Sequence, residues 1–234
     1  MAEDITEEEQ IEALKRWWAE NGMQTVLAVV LVIGGYFGWQ FWGTHQQEQM
    51  TEASDVYREM IDVIAGQQPG SLLTDTQQAQ VNAIADQLKD DYSSSAYAQF
   101  GALVKAKLAV DANDLDKAAT ELQWALDANP EAPTERLIRL RMARVESARG
   151  NIDEALKIVQ TGDPAEMKSA YEEAKGDFYL QQGNSAAAFT AYQSALLSDE
   201  STDQMVSNLL QLKMSAVLPA EVPVEEAVSE GDSQ

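Results

Sequence analysis

The chain contains no cysteine and one histidine. Without cysteine there are no disulfides and no thiolate chemistry, a composition that suits an oxidising compartment without identifying one. One histidine, His45, cannot build a His-rich metal site or complete a triad with a nucleophile in a pocket. EF-hand loops, P-loops and GxSxG elbows are also missing. Basic residues are scarce: 16 Lys and Arg stand against 39 Asp and Glu, a net charge of -23. That balance argues against a nucleic-acid partner, because phosphate binding needs clustered Lys and Arg. It also keeps the body of the chain from lying on anionic lipid. Acidic pairs such as Asp90-Asp91 and Glu172-Glu173 read as solvated helix faces. No stretch sustains period-2 alternation with β-branched residues, so no strand is predicted. The chain reads as a non-enzymatic, all-α protein that needs no cofactor.

Charge is missing altogether from one stretch, Met23–Trp42, MQTVLAVVLVIGGYFGWQFW. At 1.5 Å per residue, roughly 20 helical residues cover the ~30 Å hydrocarbon core of a bilayer. A cleaved signal peptide would end in small residues, whereas this run ends in Gly38-Trp39-Gln40-Phe41-Trp42. Trp17 and Trp18 before it, and Tyr36, Trp39 and Trp42 at its far end, suit headgroup depth on both sides. His45 belongs to the same interfacial set. Lys15 and Arg16 precede the span, and the next basic residue is Arg58. The asymmetry predicts a cytoplasmic N-terminus and a body on the far side. Gly34 and Gly38 form a small-xxx-small pair that can admit a second helix, although glycine is common in spans.

Ahead of the span, Met1–Glu9 is polar, and Thr6 with Glu9 resembles a capping box. Ile11, Leu14, Trp17 and Trp18 then fall on one stripe, an amphipathic lead-in that Asn21-Gly22 is placed to break. Beyond the span, Gly43–Ala65 reads as helix and Gly66–Gly70 as its stop. Thr74 or Thr76 caps the next helix, whose apolar positions include Val81, Ile84, Ala85 and Leu88.

Self-comparison then finds a repeat. Asn113-Asp114-Leu115-Asp116-Lys117-Ala118 matches Gly150-Asn151-Ile152-Asp153-Glu154-Ala155, and both match Gly183-Asn184-Ser185-Ala186-Ala187-Ala188. Each begins with a residue able to adopt a left-handed helix end and reaches Ala five positions later. The anchors are 37 and then 33 residues apart. Gly176, Tyr179, Gly183, Ala188, Tyr192 and Ala195 make the third unit the clearest, while in the second Val159 replaces the aromatic and Gly162-Asp163-Pro164 ends the helix early. This pattern resembles tetratricopeptide repeats, helix–turn–helix units of about 34 residues. Gln46–Ala65 and Thr76–Lys89 would form a degenerate first pair.

The lead-in EALKRWWAENG (Glu12–Gly22), the exit Gly38-Trp39, Trp42 and His45, and the repeats together resemble the YfgM family, ancillary subunits of the SecYEG translocon. The resemblance covers about Gln10 to Met214. It implies a Gram-negative inner-membrane protein with an arm (1–22), a transmembrane helix (23–42) and a periplasmic tetratricopeptide-like α-solenoid (43–215), while residues 216–234 read from their own composition as a disordered acidic tail. The resemblance further implies association with the translocon, with a membrane-anchored periplasmic chaperone of the peptidyl-prolyl isomerase type, and with secretory client chains. Pro219–Gln234, holding Glu221, Glu225, Glu226, Glu230 and Asp232 and no basic residue, departs from the family and has the composition of a disordered extension.

In such repeats the first helix of each unit lines a concave groove. Carried over, this places Phe100, Leu103 and Lys107, then Leu137, Leu140 and Arg144, then Glu173 and Asp177 on the groove. Each apolar member could equally be inter-helix core. Arg136, Arg139, Arg141, Arg144 and Arg149 share one predicted helix but spread around it, so ion pairing across repeats competes with a groove role for Arg144 and some of the others.

Overall fold

The computed structural model describes residues 7–66, 72–199 and 204–217, and among them every regular element is helical. Nine α-helices follow in order: α1 Glu7–Ala65, α2 Asp75–Asp91, α3 Ala96–Asp111, α4 Leu115–Asp127, α5 Ala132–Ala148, α6 Ile152–Gln160, α7 Lys168–Gln181, α8 Ser185–Leu197 and α9 Gln204–Ala216. A 3₁₀ turn, Ala165–Met167, precedes α7. The chain divides into two units, residues 1–55 and 56–234. The Thr6 cap, the Gln67–Gly70 part of the predicted stop and the tail Pro219–Gln234 lie outside the described residues.

In the first unit, α1 is long and apolar enough over the predicted span to cross a membrane, and none of that stretch is buried by protein. Leu31, Phe37 and Trp39 are all exposed, as lipid-facing residues should be. Gly34 and Gly38 have no atom within reach of an added Cβ, so the small-residue face is uncovered. The predicted break at Asn21-Gly22 does not occur: the helix runs through it. Asn21 donates its side-chain amide to the Trp17 carbonyl, 3.2 Å, which is a contact made within a helix. The Trp18 ring lies where a Gly22 Cβ would approach it at 3.2 Å. Glycine here accommodates an indole on the preceding turn instead of a left-handed stop.

The second unit is built from helix pairs. Thr74 and Gln77 form a reciprocal capping box at the start of α2, deciding between the two candidate threonines. Ser95, Asp114 and Asn184 accept backbone N–H groups at the starts of α3, α4 and α8. The three predicted left-handed positions are left-handed: Asn113 at φ 57°, Gly150 at 90° and Gly183 at 77°. At each, two backbone bonds reverse onto the end of the preceding helix, as in Asp114 N–H to the Ala109 carbonyl, 2.8 Å. The turn brings Ala118, Ala155 and Ala188 to the crossing, all fully buried.

The crossing also explains a size exchange between units. Ala106 shares a core cluster with Leu122, and Ala143 with Val159. The register-equivalent pair in the third unit is Gly176 and Tyr192, where a Cβ on Gly176 would sit 2.3 Å from the ring. Only glycine admits tyrosine there. The short second unit follows from its loop: α6 stops at Gln160, ahead of Gly162 at φ 93°. The end of α1 joins this stack, with the Tyr57 ring 5.3 Å from Tyr97 and 5.9 Å from Phe100 on α3. A buried charge network pins α2, α3 and α4: Glu121 accepts from Lys89 at 2.6 Å and pairs with Lys105 at 2.8 Å, and Lys105 also bonds Asp86.

Candidate functional site

Helices α3, α5 and α7 are the first helices of the three repeats, and their residues recur in register. Leu103, Leu140 and Glu173 stand ten residues before the left-handed turn, and Lys107, Arg144 and Asp177 stand six before it. The structure separates these residues by environment. Leu140 is 3% exposed and belongs to the core with Ala143 and Tyr171. Leu103 is also core, and Phe100 and Leu137 are half-buried against the same cluster. Their packing is inter-helix packing. Lys107 and Arg144 are exposed on the rim of a cavity that Leu103 also lines.

That cavity has a volume of about 970 Å³. Its wall is mostly aliphatic, from Ile61 and Ile64 at the end of α1, Leu72 and Leu73 before α2, and Val104 and Leu108 on α3. Lys107, Asp111, Arg141 and Arg144 supply charge around it. Apolar walls with a few convergent polar groups are the usual character of a binding site, and ordinary ligand pockets run to about 1,000 Å³.

The five arginines of α5 resolve individually. Arg136 donates to Glu166 at 2.9 Å, Arg139 to Glu135 at 2.8 Å, and Arg149 to Glu146 and Asp116 at 2.6 Å each. Arg144 reaches Glu173 only at 3.9 Å, and Arg141 forms no ion pair among the described residues. Burial, and then the like charge of Arg144, pull the Arg141 guanidinium below its ordinary pKa. Lys107 is paired with Asp111 one turn on. Arg141 and Arg144 are therefore the weakly compensated cations of this wall.

The third repeat is different. Helix α9 lays Lys213 against α7, where it donates to Glu173 at 2.7 Å and to Asp177 at 2.8 Å. Tyr192 donates its hydroxyl to the same Asp177 carboxylate at 2.8 Å. Burial alone would lower the Lys213 pKa, but the hydrogen bonds from Asp177 and Glu173 outweigh it and raise the value. Burial and the Asp177 bond raise Tyr192 as well. Glu173 and Asp177 are thus partnered within the chain. Of the five arginines, the cavity takes Arg141 beside Arg144, and what sequence reasoning missed is Lys213 as the closing cation. Lys213 had a legible signal, a lone late lysine in a chain whose α7 offers two carboxylates at i and i+4.

Elsewhere, Lys15 and Arg16 are exposed on α1, and His45 is exposed with its ring stacked near Phe41 at 6.5 Å. Among the described residues there is no cluster of metal-ligating side chains.

The tetratricopeptide repeat-like domain family matches residues 15–218. An ancillary SecYEG translocon subunit of Haemophilus influenzae is 31% identical over 209 residues, 89% of this chain and 98% of that protein. The protein of the same description from Escherichia coli is 29% identical over 212 residues, covering 89% and 95%. One from Neisseria gonorrhoeae is 25% identical over 217 residues, covering 93% and 100%. No solved structure matches.

Proposed function

The chain belongs to the family of ancillary SecYEG translocon subunits built on a tetratricopeptide repeat-like domain, and from that membership we propose that it is a membrane-anchored interaction and chaperone module at that translocon. Its work is non-catalytic. The N-terminal arm lies in the cytoplasm, because Lys15 and Arg16 flank the span on that side. The repeats lie in the periplasm, where they bind a membrane-anchored chaperone of the peptidyl-prolyl isomerase type and assist emerging secretory chains. The observation that carries this reading is the apolar cavity on α3 and α5 with Arg141 and Arg144 beside it. An unfolded or extended chain offers apolar side chains at intervals, and such a surface gives them somewhere to go.

The test is photo-crosslinking in intact membranes from a probe at Val104 or Leu108, which line the cavity without being core. Crosslinks to a secreting chain or to the chaperone are expected. If adducts form only from probes at Gly34 and Gly38, the repeats are a spacer and the span is the contact. A scaffold in an envelope complex is the second reading. It draws on α9, where Met205, Leu209 and Leu212 leave an apolar stripe exposed.

A further inference from the structure

We propose that the acidic segment after α9, residues 218–234, docks in the cavity between the end of α1, α3 and α5, against Arg141 and Arg144, and so competes with any partner for it. The docking stands on this chain's own chemistry; only the competition rests on the partner-binding reading above.

The argument begins with charge. In a chain of net charge -23, a segment with five carboxylates and no basic residue is repelled by most of the molecule's surface. The cavity wall is an exception, with Arg141 lacking an ion pair among the described residues and Arg144 held only at 3.9 Å from Glu173. That carboxylate is already satisfied by Lys213. Shape and polarity agree with charge. The segment intersperses Val222, Val224 and Val228 among Glu221, Glu225, Glu226 and Glu230, and the cavity offers aliphatic walls beside guanidinium groups. Length allows it. Val217 is buried against Tyr192 and Ala188, so the segment departs from the α8–α9 end of the stack. At about 3.3 Å per residue, its 17 residues reach roughly 55 Å. Stepping from α9 to α7, α5 and α3 at 8–10 Å per helix contact needs about 30 Å. All of the segment after Leu218 lies outside the matched repeat-like domain, which ends at residue 218.

Because the chain has no native cysteine, two engineered cysteines can be labelled without background. The experiment uses the full chain in lipid nanodiscs, with spin labels at Ala112→Cys on the cavity rim and Val228→Cys in the segment, read by pulsed dipolar spectroscopy. A short, narrow distance population is expected. It should broaden and lengthen in Arg141→Glu with Arg144→Glu, and again in 1 M salt, where the screening length falls to about 3 Å. Adding Glu225→Lys and Glu226→Lys to the arginine variant should restore the short distance by swapping the charges. A broad distribution in the wild type overturns the proposal. So does a short distance unmoved by the arginine variant, which would put the segment on the α9 stripe instead. A short distance that disappears on dilution with unlabelled protein overturns it in favour of a second copy's segment. The competition is read separately: deleting 218–234 should raise crosslinking from Val104 to a secreting chain several-fold, since occupancy lowers apparent affinity by the free fraction. A short distance with no such rise keeps the docking and overturns the cavity as a receptor.

Discussion

The first two repeats and the third use the same register for opposite ends. At the position six residues before the left-handed turn, α3 has Lys107 and α5 has Arg144, both exposed beside an apolar cavity. At that position α7 has Asp177, bound by Lys213 and Tyr192. One helix makes the difference. Where α9 lays a cation against α7, the carboxylates are paired across helices; where no helix does so, Lys107 pairs only with Asp111 on its own helix and Arg144 reaches Glu173 only at 3.9 Å. A solenoid is a stack of near-equivalent units, and here the third unit breaks the equivalence.

The strongest way to break the comparison is to remove what makes the third repeat rigid. Tyr192→Ala should cost about 3–5 kcal/mol, by the scale of large aromatic truncations in a core. It also leaves Asp177 without its hydroxyl donor. The loss should appear as a lower denaturation midpoint of the full chain in detergent, and a shift within error would mean the third repeat is not organised around that ring.

Next in size is the crossing itself. Gly176→Ala forces a methyl into the Tyr192 ring and should cost roughly 1–3 kcal/mol. Combined with Tyr192→Leu it recreates the Ala106 and Leu122 pairing of the first repeat. The double variant should therefore lose less than the summed single losses, by on the order of 1 kcal/mol. Strict additivity would mean that the size exchange between repeats is coincidental.

A smaller effect is expected from Lys213→Met, which leaves Glu173 and Asp177 without their cation. About 1 kcal/mol is reasonable, discounted because Lys213 is about a quarter exposed. Hydrogen exchange of α9 should speed up more than that of α5. The pH dependence has a definite sign. Lys213 has its pKa raised in the folded chain above the ordinary 10.5, so its contribution is complete below 10.5 and is lost as pH rises through the raised value. The midpoint gap between wild type and Lys213→Met should be constant from neutral pH up to that window and close above it. A gap that stays open above the window would assign the stabilisation to other groups.

The smallest stability effect belongs to the cavity. Arg141→Glu with Arg144→Glu should move the midpoint by no more than about 0.5 kcal/mol, since neither side chain is core and the one ion pair is long. Leu140→Glu on the same helix is a contrasting control: it puts a charge at a 3% exposed site and should unfold the second repeat. If the arginine variant destabilises like Leu140→Glu, the cations hold the fold and the comparison between repeats fails.

Much of this was legible before any coordinates. The uncharged run from Met23 to Trp42 is a long apolar helix because water-to-lipid transfer acts residue by residue. Asn113, Gly150 and Gly183 announce left-handed turns because few residues tolerate positive φ, and Ala118, Ala155 and Ala188 follow because only small residues fit a close crossing. These are local rules, so one sequence suffices for them. The same locality makes Asn21-Gly22 misleading: the dipeptide signals a helix end, but Trp18 folds over Gly22 and the helix continues. What only tertiary structure decided was the fate of the inner face. Leu140 and Arg144 share a face of α5 in sequence, yet one is core and the other borders a cavity. Glu173 and Asp177 look like free groove carboxylates until Lys213, some forty residues away, closes on them. Exposure and ion pairing depend on which helix lies opposite, and that is a property of the stack, not of the segment.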